Sequence, residues 1–360
     1  MTTIDVTELA PDPQKVQAVF GKILEEFAAT GGVQLMLLGI RTGMFQAMAG
    51  AGPLLPAELA TRVGTAEPYA AEWLKAQAAG GYVDYDPATQ TFTLPVEVAA
   101  VLADDAQSQL VAGFSQALMA MAADLGRFEE RFRNGEGFGW HEHSPEHWDG
   151  MDQMTRALVC SVLVPAWFPA IDGLVATLEA GGRVADIGCG YGAPLVAMAQ
   201  AFPASRFFGF DYHDTSISRA REAAEQAGVT DRVRFDVASA KDFPGDGYDL
   251  LTFFDSFHDL GDPVGALRHA RRALTPDGAV LLVEPAGGDA VEDNLNPLGR
   301  LWYAASTMVC TANALSQEGH PLGTIAGEAR LRAVASEAGF TRISRVPADA
   351  PFNILLELRP

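Results

Sequence analysis

Residues 183–192 constrain the fold more than any other stretch of the chain. They read Arg-Val-Ala-Asp-Ile-Gly-Cys-Gly-Tyr-Gly, an apolar run that ends in a G-x-G-x-G turn, and small and apolar residues at helical spacing follow. The apolar run is typical of a strand in a parallel sheet. Because glycine lacks a Cβ atom, a ligand can lie against the bare backbone of the turn. Doubly wound sheets bind nucleotides at such a turn, at the carboxyl end of the first strand.

A glycine turn of this kind has more than one interpretation. It can be a strand-to-helix turn without a ligand, or the dinucleotide pattern G-x-G-x-x-A, since Ala193 occupies the third position. Two acidic residues add information. Asp186 precedes the first glycine by two positions, where a carboxylate could hold an ammonium group of the ligand. Asp211 follows the second predicted strand, 206–210, where an acid can accept both ribose hydroxyls of an adenosine.

A third motif, Phe-Asp-Ser-Phe-His-Asp at 254–259, follows the fourth predicted strand. With the two motifs above, in this order, residues 181–360 resemble class I S-adenosylmethionine-dependent methyltransferases. The whole chain is similar to actinobacterial small-molecule methyltransferases that carry an N-terminal winged-helix domain, through stretches such as 140–143, 210–213 and 261–266. The resemblance implies S-adenosyl-L-methionine as the cofactor and S-adenosyl-L-homocysteine as the product.

The predicted fold class is α/β, a Rossmann-like doubly wound seven-stranded sheet with an antiparallel last strand, preceded by a mostly α winged-helix domain. The regular alternation of strands and helices after residue 181 supports it. The predicted strands are 183–187, 206–210, 233–237, 248–253, 279–283, 341–346 and 353–358. The last two should form a hairpin, which matches the antiparallel final strand of class I methyltransferases and argues against a nicotinamide domain.

The resemblance assigns the cofactor to residues that follow successive strands. Ser239 stands where related enzymes often have an aspartate, and its hydroxyl can still bond the adenine edge. Tyr212 could stack beside adenine or belong to the core, and Asp255 could approach the methionine moiety or cap a helix. The predicted cofactor-binding residues are Asp186, Gly188, Cys189, Gly190, Asp211, Tyr212, Ser239, Ala240, Phe254 and Asp255.

His258 and Asp259 are the predicted catalytic residues. The pair resembles the histidine–aspartate pair of plant and antibiotic O-methyltransferases, in which the histidine is the general base. A histidine pKa near 6.5 suits that task, and removal of the acceptor's proton adds roughly 10²–10⁴-fold in rate. Leu260 stands where family members usually have a tryptophan two residues after the histidine. A histidine that merely packs near the cofactor remains the alternative, and C- or N-methylation then stays open.

The N-terminal part should be helical up to residue 48, with helices over 14–30 and 33–48. In methyltransferases that resemble this chain, such helices usually interlock two subunits, which implies a homodimer; a core helix within one subunit is the alternative. A winged helix is predicted over 53–94, with helices 56–63 and 67–79 and a hairpin of strands 82–85 and 91–94.

DNA binding would use residues 67–79 as the recognition helix. That segment carries Glu67 and Glu72 against a single base, Lys75, whereas a DNA reader needs phosphate-facing cations. A winged-helix regulator that senses the cofactor is therefore the second interpretation of the chain.

Residues 97–180 should be mostly helical, with a long helix over 110–132. The loop 140–147 holds three histidines, but their H-x-H-x3-H spacing gives no regular ligand face, so no metal is predicted there. The loop is interpreted as closing over the cofactor, or as merely solvated. Trp140 and His141 from this loop, and Asn296 from the long connection 284–328, are the predicted substrate-binding residues.

A different metal site is conceivable, because His320 and Cys310 could join His258, as in rare iron-dependent C-methyltransferases of α-keto acids. The spacing of these residues is not diagnostic, so the chain is predicted to bind no metal.

Length and charge bound the remaining possibilities. The 360 residues favour more than one domain, divided here into 1–100 for dimerisation, 101–180 for the acceptor pocket and 181–360 for the cofactor. The net charge of −21 argues against nucleic acid and anionic membranes as partners. Three scattered cysteines and an acidic start without an apolar core fit the cytoplasm rather than secretion. The apolar run 157–171 contains two prolines and is too short to span a bilayer.

Overall fold

The computed structural model describes residues 11–360. The chain divides into two compact units, one that ends at Met119 and one that begins at Ala120. Residues 1–10 lie outside the described part, so the expectation that the N-terminus is not a secretion signal remains a prediction.

The first unit is built mainly from helices. Phe45 and Trp73 pack edge to face at its centre, with ring centroids 4.9 Å apart, and the Trp73 indole Nε1 donates to the Leu35 carbonyl at 2.9 Å. The elements are α1 (Pro13–Arg41), α2 (Met44–Met48), α3 (Pro56–Val63), α4 (Glu67–Ala79), β1 (Asp84–Asp86), β2 (Thr91–Thr93), α5 (Val96–Leu102) and α6 (Asp105–Ala123).

α1 corrects the prediction of two helices over 14–30 and 33–48. It is one helix of 29 residues that runs through Gly31 and Gly32, and only its last turns are buried. Each interior glycine lowers helix stability by about 1 kcal/mol, a cost that the packing of Leu37 and Ile40 can offset. The helix ends before Gly43, whose φ of +73° only glycine adopts without strain.

The exposed part of α1 carries large apolar side chains on one face. Phe20 is 63% exposed, Leu24 67% and Phe27 70%. Among residues 11–360, α1 is also the one unbent helix long and apolar enough to cross a bilayer, judged by length and composition alone. Exposed apolar surfaces of this kind are typical of interaction sites.

The winged-helix prediction is confirmed in its helices, since α3 and α4 begin and end at the predicted residues. The hairpin is shorter than predicted. Its strands pair Asp84 with Thr93 and Asp86 with Thr91, and Leu54 adds a bridge to Phe92.

The second unit contains a seven-stranded sheet, as predicted. The strands are β3 (Arg183–Ile187), β4 (Arg206–Asp211), β5 (Val233–Val237), β6 (Tyr248–Phe254), β7 (Leu274–Pro285), β8 (Arg342–Arg345) and β9 (Asn353–Arg359). They lie in the order β5-β4-β3-β6-β7-β9-β8. β9 is antiparallel to both neighbours, while β3 to β7 pair in parallel. The order reverses beside β3, so the turn after β3 lies at the switch point where such sheets bind ligands.

Helices cover both faces of this sheet. The helices of the second unit are α7 (Leu125–Asn134), α8 (Pro145–Thr155), α9 (Leu174–Ala180), α10 (Ala193–Ala201), α11 (Asp214–Gln226), α12 (Pro263–Ala273), α13 (Pro297–Ala305), α14 (Thr311–Ser316) and α15 (Glu328–Glu337). One apolar core joins the sheet to α9, α10 and α11, and a second joins it to α12 and α15. The fold class predicted from the sequence is therefore confirmed.

The predicted helix over 110–132 is wrong, because the chain breaks at Asp124 between α6 and α7. The Asp124 carboxylate is bound by Arg127 Nη1 at 3.3 Å and by His143 Nδ1 at 2.9 Å. Gly126, a poor helix former, stands in the first turn after the break.

Wide π-helical turns occur in the predicted helical region 97–180 and in the long connection 284–328. They span Arg156–Cys160, Leu163–Trp167 and Ser306–Cys310. Such turns are uncommon and frequently occur at functional sites.

Candidate active site

The glycine turn after β3 has the backbone that its sequence predicts. Gly188, Gly190 and Gly192 have φ values of +72°, +51° and +74°. A Cβ atom on Gly188 would lie 2.7 Å from the Ser256 side chain, and one on Gly192 only 2.4 Å from the Phe235 ring. A Cβ atom on Gly190 would meet nothing within 4 Å. Two glycines are thus required by close packing, and the third leaves an open approach to the backbone.

This turn forms one wall of a cavity of about 390 Å³, within the roughly 300–1,000 Å³ of small-molecule sites. All ten predicted cofactor-binding residues contribute to its lining: Asp186, Gly188, Cys189, Gly190, Asp211, Tyr212, Ser239, Ala240, Phe254 and Asp255. The turn and the ends of β4, β5 and β6 therefore meet at one place, as parallel strands require.

Asp211 holds the turn from the end of β4. Its Oδ2 accepts the Gly190 N–H at 3.0 Å, and its Oδ1 accepts the His213 N–H at 2.9 Å. Burial raises the pKa of this carboxyl, and the two backbone N–H groups oppose the rise. The carboxylate is fixed in orientation and lies at the cavity wall.

Asp186 is buried beneath the turn. Thr252 Oγ1 donates to its Oδ1 at 2.8 Å. Burial raises the pKa of Asp186 to about 8. A cationic ligand group in the cavity would favour its ionised form.

Asp255 has an unusual backbone conformation for a residue other than glycine, with a φ of +48°. Asn353 on β9 donates from Nδ2 to its Oδ1 at 2.8 Å. Burial and the nearby Glu284 raise the pKa of Asp255 to about 7. The following helical turn begins after Ser256, so the alternative that Asp255 caps a helix is wrong.

Ser239 lies at the cavity, but its hydroxyl is already engaged. The hydroxyl donates to Asp242 Oδ1 at 2.6 Å, and the same carboxylate oxygen accepts the Ser239 N–H at 3.1 Å. The hydroxyl oxygen also accepts the Lys241 N–H at 3.3 Å, which leaves one lone pair for a ligand.

His258 is buried behind the cavity lining, whereas Asp259 belongs to it. Glu284 Oε2 accepts from His258 Nδ1 at 2.7 Å, and His258 Nε2 lies 3.5 Å from Asp259 Oδ1. Burial disfavours the charged imidazolium, but Glu284 and Asp259 outweigh it and raise the pKa of His258 well above its ordinary value. The structure thus places His258 directly behind Asp259, which lines the cavity.

Asn313, on α14, was missed by the sequence analysis. Its Oδ1 accepts the Trp140 N–H at 2.9 Å and the Tyr212 hydroxyl at 3.3 Å, while its Nδ2 donates to the Asp259 carbonyl at 3.1 Å. Gln317 Nε2 donates to the same carbonyl at 3.1 Å. Both amides line the cavity, and they tie three distant segments of the chain together.

The loop 140–147 divides between the cavity and the protein interior. Trp140 lines the cavity. His143 and His147 are buried and stacked, with ring centroids 4.5 Å apart, and Asp124 bonds the first of them. His141 is exposed, its ring centroid 6.1 Å from that of Tyr212. Among the described residues, the three histidines of this loop do not form a ligand cluster.

Three predicted site residues lie outside the cavity lining that the described residues form: His141, His258 and Asn296. Asn296 caps α13, where its Oδ1 accepts the Gly299 N–H at 2.9 Å. His320, which the sequence grouped with Cys310 and His258, is exposed, and its N–H donates to the Gly261 carbonyl at 3.1 Å.

The charge of the cavity is strongly acidic. Six aspartates line it, against one lysine, among the residues that the structure describes: Asp152, Asp186, Asp211, Asp255, Asp259, Asp262 and Lys241. Such a wall favours a ligand that carries positive charge.

Comparisons with known proteins agree with this geometry. Residues 178–337 match a family model described as "Methyltransferase domain", and residues 31–104 match one described as "Rv2258c-like winged HTH domain". The 27-O-demethylrifamycin SV methyltransferase of Amycolatopsis mediterranei is 33% identical over 131 residues, which are 34% of this chain and 48% of that protein. The chain spans less than half the length of the first curated relatives it matches.

Solved structures match over nearly the whole chain. An O-methyltransferase family protein from Burkholderia thailandensis has a TM-score of 0.66 at 18% identity, covering 95% of this chain and 97% of that one. The human N-acetylserotonin methyltransferase in complex with SAM has a TM-score of 0.64 at 18% identity, covering 97% and 98%. At these identities the likeness shows a shared fold.

Proposed function

Because this chain carries a methyltransferase domain behind a winged-helix domain, we propose that it transfers a methyl group from S-adenosylmethionine to a small-molecule acceptor. O-methylation is the reaction that the site supports best. The single observation that carries the proposal is the convergence of all ten predicted cofactor residues on one acidic cavity.

The residues present fit that cofactor in their chemistry. S-adenosylmethionine supplies, when bound, a methyl group on a positively charged sulfur. Asp211 is proposed to accept the ribose hydroxyls, and Asp186 is proposed to attract the ammonium group. Gly190 leaves the backbone accessible, because the space beside it is open. Tyr212, Ser239 and Ala240 form the wall proposed for adenine.

The acceptor is proposed to enter beside Trp140, in a region that residues 101–180 help to build. Trp148 and Met151 also line the cavity there, which supports the proposed role of this segment. Alignment of an acceptor oxygen with the methyl group can contribute about 7–11 kcal/mol to the lowering of the barrier. Trp140, rather than His141 or Asn296, is the contact that the geometry favours.

His258 and Asp259 are proposed to take up the proton of the acceptor. Asp259 faces the cavity, and His258 lies behind it at 3.5 Å. Because its neighbours raise the pKa of His258, the imidazole is protonated at low pH and accepts a proton only above its own pKa. Turnover should therefore rise as pH rises through that pKa, and a His258→Gln variant should lose this pH dependence. An unchanged pH profile in the variant would exclude His258 as the base.

The chain is also proposed to form a homodimer through the exposed apolar face of α1. Phe20, Leu24 and Phe27 give that face an apolar surface that a second copy would cover. Light scattering of the purified protein should give twice the chain mass, and a Leu24→Glu/Phe27→Glu double variant should give one chain mass. A wild-type protein with the mass of one chain would end the dimer proposal.

A cytoplasmic location is proposed because all three cysteines are free.

Nucleic acid is not a proposed partner, since Lys75, the single basic residue of α4, pairs with Glu72 at 2.7 Å. A gel shift at low salt with retained DNA would revive the regulator interpretation. C- or N-methylation remains the alternative chemistry and would be recognised by the position of the methyl group in the product.

The first test is calorimetric titration with S-adenosylhomocysteine. We expect micromolar binding by the wild-type protein, loss of binding in Asp211→Ala, and retention in Asp214→Ala, an exposed acid three residues away that is not part of the cavity lining. Equal binding by all three proteins would place the ligand elsewhere. No binding by the wild-type protein would overturn the cofactor assignment.

A further inference from the structure

A compact group of metal-ligand atoms lies behind the cavity wall. His258, Asp259 and Cys310 each offer one such atom, and these atoms all lie within 4.8 Å of one another. His258 and Cys310 are buried, whereas Asp259 reaches the cavity. The cluster combines imidazole, carboxylate and thiol, the ligand types that proteins use for zinc and related cations.

Asp259 Oδ1 is a buried oxygen without a hydrogen-bond partner. Its nearest cationic neighbour, His258 Nε2, is 3.5 Å away, beyond the roughly 2.7–3.2 Å of an N–H···O hydrogen bond. A buried, unsatisfied carboxylate oxygen is costly and requires an explanation, of which an ion is one.

The groups around the cluster are arranged as they are around bound metals. Glu284 accepts from His258 Nδ1 at 2.7 Å, which leaves Nε2 as the ligand atom. Glu284 is itself held by the N–H groups of Phe257 and His258 at 3.1 and 3.2 Å. Thr324 Oγ1 donates to Cys310 Sγ at 2.8 Å. Carboxylate–histidine–metal arrangements of this kind fix the tautomer and the ring orientation.

The distances suit a tetrahedral ion. With metal–nitrogen and metal–oxygen bonds of about 2.0–2.2 Å, two such ligands on one zinc ion lie about 3.4 Å apart. The Nε2 and Oδ1 atoms are already 3.5 Å apart, and the thiol needs to approach by about an ångström at most. Cys310 ends the π-helical turn Ser306–Cys310, a type of turn that is common at functional sites.

We propose that His258, Asp259 and Cys310 bind a divalent cation of the zinc type, with its fourth position open toward the cavity. Three protein ligands and one open position are the pattern of catalytic zinc sites. Binding of the cation releases the thiol proton and any proton on His258 Nε2, so the charge of the cation is partly offset by the charge of the released protons.

The role of this cation rests on the proposed methyl transfer, while its binding does not. An acceptor hydroxyl oxygen in the fourth position has a lowered pKa and releases its proton to solvent. The oxygen then forms a bond to the methyl carbon as the carbon–sulfur bond breaks, and the electron pair of that bond stays on sulfur. In the cation-loaded protein, His258 and Asp259 are therefore ligands rather than the proton acceptor.

Cobalt(II) titration of the full chain, purified with chelator and dialysed, tests the binding directly. A cobalt–thiolate bond gives a charge-transfer absorption in the near ultraviolet, independent of any activity. We expect this absorption to saturate at a single ion per chain in the wild-type protein and in Cys160→Ser, the matched control, and to be absent in Cys310→Ser. Absorption that persists in Cys310→Ser, or is absent in the wild-type protein, would overturn the proposal.

Two further variants keep the test decisive if Cys310→Ser does not fold. Asp259→Asn preserves shape and should abolish saturable cobalt binding. Glu284→Gln should weaken it by about 10–100-fold, the usual effect of removing an outer partner of a ligating histidine. Binding of cobalt by Asp259→Asn with wild-type affinity would exclude the carboxylate ligand.

Parallel titration with S-adenosylhomocysteine separates this proposal from the proposed function. If the protein binds S-adenosylhomocysteine but not cobalt, the cation site is refuted and the proposed methyl transfer is unaffected. If it binds cobalt but not S-adenosylhomocysteine, the cation site stands and the proposed methyl transfer is refuted.

Discussion

The two ends of the cavity are built in different ways. The glycine-turn end comes from residues that directly follow β3, β4, β5 and β6, and its contacts involve mostly backbone and aspartates. The opposite end comes from Trp140, Asp259 and Asn313, whose bonds span 173 and 54 residues of sequence. The first end is a property of the parallel sheet, and the second depends on how loops and helices pack over it.

This difference indicates which end can vary. Strand ends cannot move without disturbing the sheet, so the glycine-turn end is suited to a ligand that stays the same. Helices such as α8 and α14 line the cavity but take no part in strand pairing, so the opposite end is suited to a variable acceptor. The following variants test this division, beginning with the largest expected effect.

Gly192→Ala should destabilise the glycine-turn end of the cavity more than any other variant considered. The new Cβ atom would lie 2.4 Å from the Phe235 ring, at a φ of +74°. Left-handed strain of about 1–2 kcal/mol and overpacking of about 1–3 kcal/mol should lower the free energy of unfolding together. Urea unfolding measures the loss. Gly190→Ala, which meets open space, is the control and should lose only the strain contribution, so equal losses would contradict the packing argument.

Asn313→Ala should destabilise the end of the cavity opposite the glycine turn, and at the glycine-turn end it removes the bond to the Tyr212 hydroxyl but leaves the strand ends in place. The variant leaves the Trp140 N–H without its partner, while Gln317 still donates to the Asp259 carbonyl, and the loss should cost about 1–3 kcal/mol of unfolding free energy. Affinity for S-adenosylhomocysteine should change little. Gln317→Ala should cost less, because Gln317 is exposed and water can replace its bonds, whereas Asn313 is buried. A large loss of product affinity in Asn313→Ala would show that the two ends are not separable.

Asp186→Asn should lower the affinity for S-adenosylhomocysteine and raise the stability of the ligand-free protein at high pH. The folded pKa of Asp186 is about 8, above its ordinary value near 3.9, so the folded protein binds more protons than the unfolded chain between these pH values. The contribution of Asp186 to stability therefore falls as pH rises from about 4 to about 8. Above pH 8 the ligand-free variant should exceed the wild-type protein by more than about 1 kcal/mol.

Thermal unfolding at pH 5 and pH 8.5 measures this difference, together with calorimetry for the expected loss of product affinity. Asp214→Asn, an exposed acid, should show no such change with pH. A variant that is less stable than the wild-type protein at high pH would show that Asp186 stabilises the fold as an anion.

Ser239→Ala should have the smallest effect. The Ser239 hydroxyl already donates to Asp242 Oδ1 at 2.6 Å. Removal of the hydroxyl therefore costs mainly that hydrogen bond, about 0.5–1.5 kcal/mol of unfolding free energy. Product affinity should fall only modestly. Loss of binding as complete as in Asp211→Ala would show that the hydroxyl is a main adenine contact.

The same division explains what the sequence predicted. The strands, and the meeting of the ten predicted cofactor positions at one cavity, could be predicted because each motif lies at the end of a strand, and short-range spacing survives in the sequence. Asn313 and Gln317 were missed because their partners are backbone groups of remote segments, which leave no spacing pattern. Asn296 was misplaced for a related reason, since a cap residue before a helix and a ligand-binding amide have the same local sequence.

Helix boundaries failed where tertiary contacts outweigh local preference. Gly31 and Gly32 suggested a break in α1, which the packed end of the helix overrides. Asp124 carried no signal of a break, because the reason for it is a histidine 19 residues further along.

The position of β9 has a consequence for the order in which the protein acquires its site. β9 lies between β7 and β8, although both are synthesised before it. Its first residue, Asn353, holds Asp255 at a positive φ in the cavity wall. During translation the sheet therefore keeps a gap until residues 353–359 leave the ribosome, and the nascent chain cannot shape the Asp255 side of the cavity before that moment.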